Sequence, residues 1–258
     1  MLKAIIFDVD GTLAETEECH REAFNRAFAD AGLSWHWSEA HYAELLKVTG
    51  GKERLAHFIE AIGGVGIGVT LVNRLIAALH GRKTAIYADM IASGGVGLRP
   101  GVTDLIDGAL SENIRLAIAT TTSRPNVDAL LRATLGQRGA AAFEVIAAGD
   151  CVRQKKPAPD IFMTTLDQLR LAPRDCLAIE DSENGLRAAM GAGLPVLVTP
   201  SRYSIGENFA GAAKVVEALP QLAGIVALDG RRWPQPAALV AAIRRLHGEA
   251  ALGAVRAA

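Results

Sequence analysis

The chain has 258 residues, 50% hydrophobic and 21% charged, with a formal net charge of −1. That is enough apolar material for a sizeable core, and the balanced charge offers no basic surface for nucleic acid or for an anionic membrane. The three cysteines, Cys19, Cys151 and Cys176, fit neither metal spacing nor a disulfide framework and read as reduced thiols of a cytoplasmic protein.

The first element is "KAIIFDVDGTL", residues 3–13: apolar β-formers that stop at two aspartates, Asp8 and Asp10, with Gly11 and Thr12 behind. The run is short and ends in acidic residues, unlike a secretory signal, and the longest apolar stretch, "AIGGVGIGVTLV", is glycine-rich and too short to span a bilayer. Residues 15–96 then read as an all-α insert. "TEECHREAFNRAFADAG" repeats Ala23, Phe24, Ala27, Phe28 and Ala31 on one helix face, and "SEAHYAELLKV", "KERLAHFIEAI" and "VTLVNRLIAALHGRKTAIYADMIAS" continue the helical pattern. Trp35 and Trp37, between the first two, read as core of this insert.

Beyond it, strand-like runs alternate with helical ones. "VTDLIDGAL" precedes "IRLAIAT" (114–120), "NVDALLRATLG" precedes "FEVIAA" (143–148), "APDIFMTTLDQLRL" precedes "CLAIED" (176–181), and "NGLRAAMGAGL" precedes "PVLVTP" (195–200). The strands are mostly apolar throughout, as strands covered on both faces are. The alternation predicts an α/β fold with a parallel sheet. The core is expected over 1–14 and 97–229, the helical domain over 15–96, and a C-terminal extension over 230–258. That extension carries one amphipathic helix with Leu239, Val240, Ile243 and Leu246 on a face, to dock on the core or on a partner.

In an open parallel sheet, ligands bind at the carboxyl ends of the strands. Asp8 and Asp10 follow the first strand, Thr120 ends the second, Lys156 follows the third, and Glu180 and Asp181 end the fourth. Taken singly each has a plainer reading: Asp-Gly as turn chemistry, Thr120 as a β-former, Lys156 as a solvated charge, Glu180 and Asp181 as caps of the next helix. Together they form a chemistry. Clustered carboxylates without histidine or thiol favour a hard cation, Mg²⁺, which also contacts substrate phosphate. Lys156 would neutralise phosphate oxygens and help hold Asp8 ionised, and Thr120 with the N–H groups of the "TTTS" turn would cradle the rest. One carboxylate can attack phosphorus, and Asp10 can serve as general acid and then base. Gly11 lets the chain turn close to the phosphate.

"DVDGT", "ATTTS", "KKPAPD" and "EDSENG", in that order, resemble the four signature motifs of the haloacid dehalogenase superfamily. The resemblance implies a Rossmann-like core with a helical C1-type cap, Asp8 as nucleophile, Asp10 as acid/base, and Thr120 and Lys156 as phosphate ligands. It also implies Mg²⁺ held by Asp8, Asp181 and the Asp10 carbonyl, with Glu180 as a ligand or just behind one. The helical insert supplies candidates for the rest of the substrate. Glu17 and His20 share a helix side with Phe24, and Thr49, Lys52 and Arg54 open a helix where anions are favoured. The alternatives are a buried helix histidine for His20 and a solvated face for Lys52 and Arg54.

Within the superfamily, "DVDGTLAETEECHREAFN", "WHW", "TGGKER", "ATTTSRPNV" and "EDSENGLRAA" look most similar to CbbY-type phosphatases. That implies hydrolysis of xylulose 1,5-bisphosphate, an inhibitory by-product of Rubisco, to xylulose 5-phosphate, in metabolite repair beside carbon fixation. Thr121, Ser123, Arg124 and Asn126 would then lie near the substrate. A monomer acting on a small sugar phosphate or bisphosphate is expected. The rival readings are a β-phosphoglucomutase-like phosphotransferase, another small-metabolite phosphatase such as one for phosphoglycolate, and a non-catalytic phosphometabolite sensor.

Overall fold

In the computed structural model, which describes residues 1–63, 68–224 and 236–257, the five apolar runs lie in one parallel sheet. In chain order the elements are β1 (Ala4–Phe7), α1 (Glu17–Asp30), α2 (Glu39–Leu45), α3 (Gly51–Ala61), α4 (Val69–Ala92), α5 (Val102–Ser111), β2 (Arg115–Thr120), α6 (Arg124–Leu135), α7 (Gln137–Ala142) and β3 (Val145–Ala148). They continue with α8 (Asp160–Leu169), β4 (Cys176–Glu180), α9 (Glu183–Gly191), β5 (Val196–Val198), β6 (Lys214–Val215), α10 (Leu219–Leu222) and α11 (Pro236–Ala257).

The sheet order is β3-β2-β1-β4-β5-β6. The chain steps from β1 outward to β3, then returns to the other side of β1 with β4. That reversal is the topological switch point at which open α/β sheets bind ligands. Register does the rest. Phe7 pairs with Ile118 on β2 and with Ile179 on β4, so Asp8 and Glu180 leave adjacent strands at one level. The strands lack alternation because both faces are covered. Ile5, Phe7, Leu116 and Ile118 pack under α5, α6 and α11, while Ala4, Ile6, Ala117 and Ala119 pack under α8 and α9. Each large apolar side chain so buried contributes about 1.5–3 kcal/mol.

Helices α1–α4 have a separate aromatic core. Phe24, Phe28, Trp37, Tyr42, Leu55 and Leu79 are fully buried in it, and Trp35 packs against its edge. The segment leaves and rejoins the sheet at nearly one point, where Ala14 forms an antiparallel bridge with Leu98. At the far end of the chain, Leu239, Val240, Ile243 and Leu246 are buried in the sheet's own core against α5, so this helix docks on the core. The expected boundary at 229/230 falls outside the described residues.

Several boundaries differ from expectation for local reasons. Ala31 is exposed because α1 stops at Asp30, where Gly32 adopts a left-handed φ of 68°. Gly136 ends α6 as expected, but the short α7 follows directly. A sixth strand, β6, consists of two exposed residues, too few to leave a periodic signal. Among the described residues, no helix is long and apolar enough to cross a membrane.

Candidate active site

Four of the expected groups meet at the switch point. Lys156 Nζ lies 2.6 Å from Asp8 Oδ1 and 2.6 Å from Glu180 Oε1, with all three side chains buried. Asp181 joins them: Asp8, Glu180 and Asp181 each offer a carboxylate oxygen within 4.8 Å of the others. Two glycines make this crowding possible. A Cβ on Gly185 would sit 2.0 Å from Glu180 Oε2, and one on Gly11, whose φ is +80°, would sit 2.2 Å from Asp181 Oδ2. Glu180 and Asp181 do not cap α9, since Ser182 takes that role by accepting from the Gly185 N–H.

Three buried carboxylates facing one ammonium leave negative charge without a counter-ion. The strain is visible in their titration. Burial, reinforced by Asp8 and Glu180, pushes the Asp181 carboxyl well above its usual range. Burial pushes Glu180 up to about 8 against the pull of Lys156, and raises Asp8 as well. Lys156 therefore works to keep Asp8 ionised, as expected, but burial outweighs it. Burial would lower the lysine too, yet its two carboxylates hold it firmly charged. An all-oxygen, doubly uncompensated donor set suits a hard divalent cation. Removing Lys156 would take the partner from two buried carboxylates, at a cost of about 3–5 kcal/mol.

Asp10 points elsewhere. Its Oδ1 accepts from Thr16 Oγ1 at 2.5 Å and meets His20 Nε2 at 2.9 Å. Burial alone would raise this carboxyl, but His20, Thr16 and the more distant Lys83 reverse the effect and hold it well below the usual carboxylate range. His20 is in turn held from behind: its Nδ1 lies 2.7 Å from Lys83 Nζ, and its ring stacks on Tyr87 at 4.1 Å. Burial lowers Lys83 to about 8.

The sequence-predicted residues divide into three groups. Asp8, Asp10, Glu17, Arg54, Thr120, Thr121, Lys156 and Asp181 line one cleft between the sheet edge and the helical segment. Ser123 and Asn126 line the recess beside it, the Ser123 hydroxyl and the Asn126 carbonyl oxygen being buried without hydrogen-bond partners among the described residues. His20 borders that recess too; it is 3% exposed, with one ring nitrogen on Asp10 and the other on Lys83.

Two further candidates are paired with carboxylates. Lys52 closes an ion pair with Asp150 on the core at 2.6 Å, bridging the helical segment to the sheet edge beside a small recess that Thr121 and Ser123 also line. Arg124 is half exposed and pairs with Asp128 one helical turn away at 2.8 Å, a surface contact outside the cleft, because its place at the start of α6 turns it outward. By contrast Arg54, for which a solvated face was the alternative to binding an anion, is buried. Its Nη1 donates to Tyr42 Oη at 3.0 Å, and that hydroxyl donates to Glu17 Oε2 at 2.8 Å.

Sequence reasoning missed Tyr42, Lys83 and the loop after β5. Lys83 carried a signal: it occupies the buried face of α4 with Ile76, Leu79, Ile86 and Tyr87, where a lysine must have a partner. Ser201, Tyr203, Ser204 and Glu207 line the cleft from a loop with no periodic pattern. Ser204 Oγ donates to the Asp181 carbonyl at 2.7 Å, and Tyr203 Oη donates to Glu18 at 2.6 Å.

Residues 2–193 match the haloacid dehalogenase-like hydrolase family. The CbbY protein of Rhodobacter capsulatus is 53% identical over 229 residues, which cover 86% of this chain and 99% of that protein. The crystal structure of CbbY from Rhodobacter sphaeroides in complex with phosphate superposes with a TM-score of 0.78 at 48% identity, over 84% of this chain and 95% of that one. A mutant of the same protein, crystallised with xylulose-(1,5)bisphosphate, gives a TM-score of 0.79 at 50% identity over the same shares. With the strand-end carboxylates and lysine in place beneath a helical segment, this chain belongs to the haloacid dehalogenase-like hydrolases and is a phosphatase of the CbbY type.

Proposed function

We propose that the chain is a Mg²⁺-dependent sugar-bisphosphate phosphatase that works through an aspartyl-phosphate and converts xylulose 1,5-bisphosphate to xylulose 5-phosphate. The observation that carries it is the division of labour between two aspartates one residue apart. Asp8 faces Lys156 and the acidic cluster, while Asp10 faces His20 and Thr16. The relative that binds xylulose-(1,5)bisphosphate supports the substrate. In this reading residues 15–96 act as the cap over the core, and the reaction belongs beside carbon fixation.

Asp8, Asp181 and Glu180 fit a divalent cation, and Mg²⁺ there would neutralise phosphate charge and hold the carboxylates ionised. Lys156, Thr120 and the N–H groups of the loop after β2 bind the transferring phosphoryl group. An Asp8 oxygen attacks phosphorus, the bond to the sugar oxygen breaks, and Asp10, in the fraction that carries a proton taken from solvent, gives it to that oxygen. Water then attacks the phosphoryl carried on Asp8, Asp10 takes the water's proton, and the Asp8–phosphorus bond breaks to release phosphate. The low-held Asp10 suits the second half directly, since it stands as the base. Arg54 and Glu17, joined through Tyr42, bind the other phosphate and the sugar hydroxyls in this reading, with Ser123 and Asn126 offering further polar groups.

The test is phosphate release from xylulose 1,5-bisphosphate, ribulose 1,5-bisphosphate, phosphoglycolate and β-glucose 1-phosphate, with Mg²⁺ and then with EDTA. Preference for xylulose 1,5-bisphosphate, abolished by EDTA, is expected. Glucose 6-phosphate formed without free phosphate would assign a mutase instead, and no turnover of any substrate would sink the phosphatase mechanism.

A further inference from the structure

Residues 97–101 bring the chain back from α4 to the sheet, and one side chain in that return touches the Asp10 turn, the outgoing linker and the loop behind Asp181 without lining the cleft itself. Arg99 Nη1 donates to the Gly11 carbonyl and, at 2.6 Å, to that of Thr199, with Thr199 Oγ1 at 3.3 Å. Its Nη2 donates to the carbonyls of Pro200 at 2.8 Å and Glu217 at 3.2 Å. Its Nε lies 3.3 Å from Glu15 Oε1, and its main-chain N–H donates to the Leu13 carbonyl at 2.8 Å. The side chain is only 11% exposed.

These acceptors belong to four stretches of chain. Gly11 and Leu13 form the turn that carries Asp10. Glu15 lies on the outgoing linker to α1. Thr199 and Pro200 begin the loop after β5, and Glu217 follows β6. At the site that loop and turn press together: Gly11 closes on Asp181 and on Ser201, and Ser204, bonded to Ser201, donates to the Asp181 carbonyl. Among the described residues the carbonyls of Gly11, Thr199 and Pro200 have no other donor. Only a planar fork of donors reaches so many acceptors from one position, and a lysine ammonium cannot. Arg99 also spans both linkers of the helical segment, one by its own backbone and the other through Glu15.

We infer that Arg99 is a positioning residue. Its guanidinium locks the Asp10 turn to the loop behind Asp181 and ties the two linkers to the same joint, so the general acid/base stays in register however the helical segment moves. The kinetic part of this inference rests on the phosphatase reading above.

The test compares wild type with Arg99→Lys and Arg99→Ala, assayed well below each protein's Tm. Arg99→Ala is expected to lose kcat on the order of 10²-fold, the scale of a small misplacement at a reacting centre, with KM within about threefold of wild type. Free guanidinium at a low, non-denaturing concentration should restore roughly tenfold of that loss, and urea at the same concentration none of it. Arg99→Lys should fall in between. A lowered Tm with unchanged kcat, or a rate indifferent to guanidinium, would assign Arg99 a purely structural role and overturn the inference. Hydrogen exchange at the amides of Gly11–Ala14 gives a reading independent of turnover. Faster exchange in Arg99→Lys is expected, and rates equal to wild type would overturn the positioning role. A wild-type protein that releases phosphate from nothing would defeat the phosphatase reading while leaving this exchange test in force.

Discussion

On the floor of the cleft every charged group sits at the end of a strand or in the loop behind one, whereas on the wall every charged group sits on a helix. Asp8, Glu180, Asp181 and Lys156 are set by the pairing of β1 with β4 and by the turns that follow. Glu17, His20, Arg54 and Lys83 are set by one another and by Tyr42, across four helices. A floor fixed by backbone hydrogen bonds stays put when a side chain is changed. A wall fixed by side chains on side chains moves when any one is lost. In the proposed reading, chemistry belongs to the rigid part and selectivity to the adjustable part.

The comparison can be broken most decisively at its floor. Asp8→Asn should abolish Mg²⁺-dependent phosphate release, since an amide is a poor nucleophile, and substantial remaining turnover would eliminate the aspartyl-phosphate. Asp10→Asn should slow turnover ~10²–10⁴-fold, the scale of losing a general acid/base, while phosphate binding measured by calorimetry persists. On the wall, Arg54→Met should raise KM for the bisphosphate about tenfold and alter kcat far less, as the loss of a uniform binding contact does. An unmoved KM would mean that the wall does not read the substrate.

A smaller effect separates wall from floor by pH. Burial, with Lys83 and Lys52 nearby, pushes His80 from 6.5 down to about 4. Between those values the unfolded chain binds a proton that the folded chain refuses, so His80 lowers stability as pH falls through that window. His80→Asn should flatten this part of the Tm–pH curve by roughly 2–4 °C, and a slope identical to wild type would remove His80 from the account. Least of all, Arg124→Ala should change kcat/KM by less than about twofold, because its exposed ion pair contributes only about 0.3–0.5 kcal/mol. A large loss there would return Arg124 to the substrate.

The floor was legible in the sequence because period and punctuation coincide there. Each strand is an apolar run that stops at a polar residue, and a parallel sheet puts all such stops on one edge. Lys156 could be placed by its position alone, although its bridge to both Asp8 and Glu180 could not. The wall was half legible. Helical spacing put Glu17 and His20 on one side of α1, but nothing along the chain says that His20 faces Asp10 with Lys83 behind it, or that Arg54 is buried under Tyr42. Those partners come from different helices, and pairing between helices leaves no period in any one of them. The pairs that Lys52 and Arg124 make were hidden in part: nothing near Lys52 in the chain marks Asp150, whereas Asp128 lies one helical turn from Arg124. The loop after β5 was invisible, being neither periodic nor rich in the residues that mark a site.

The bridge between Ala14 and Leu98 has one more consequence. It brings the two ends of the long helical excursion side by side, so the sheet sees that excursion as a short loop whatever it contains. Such an insertion is topologically neutral: its length and its helices can be exchanged with no change to the strand pairing beneath. One phosphoryl-transfer floor can thus carry helical excursions of very different length and sequence, all spliced in between two adjacent points in space.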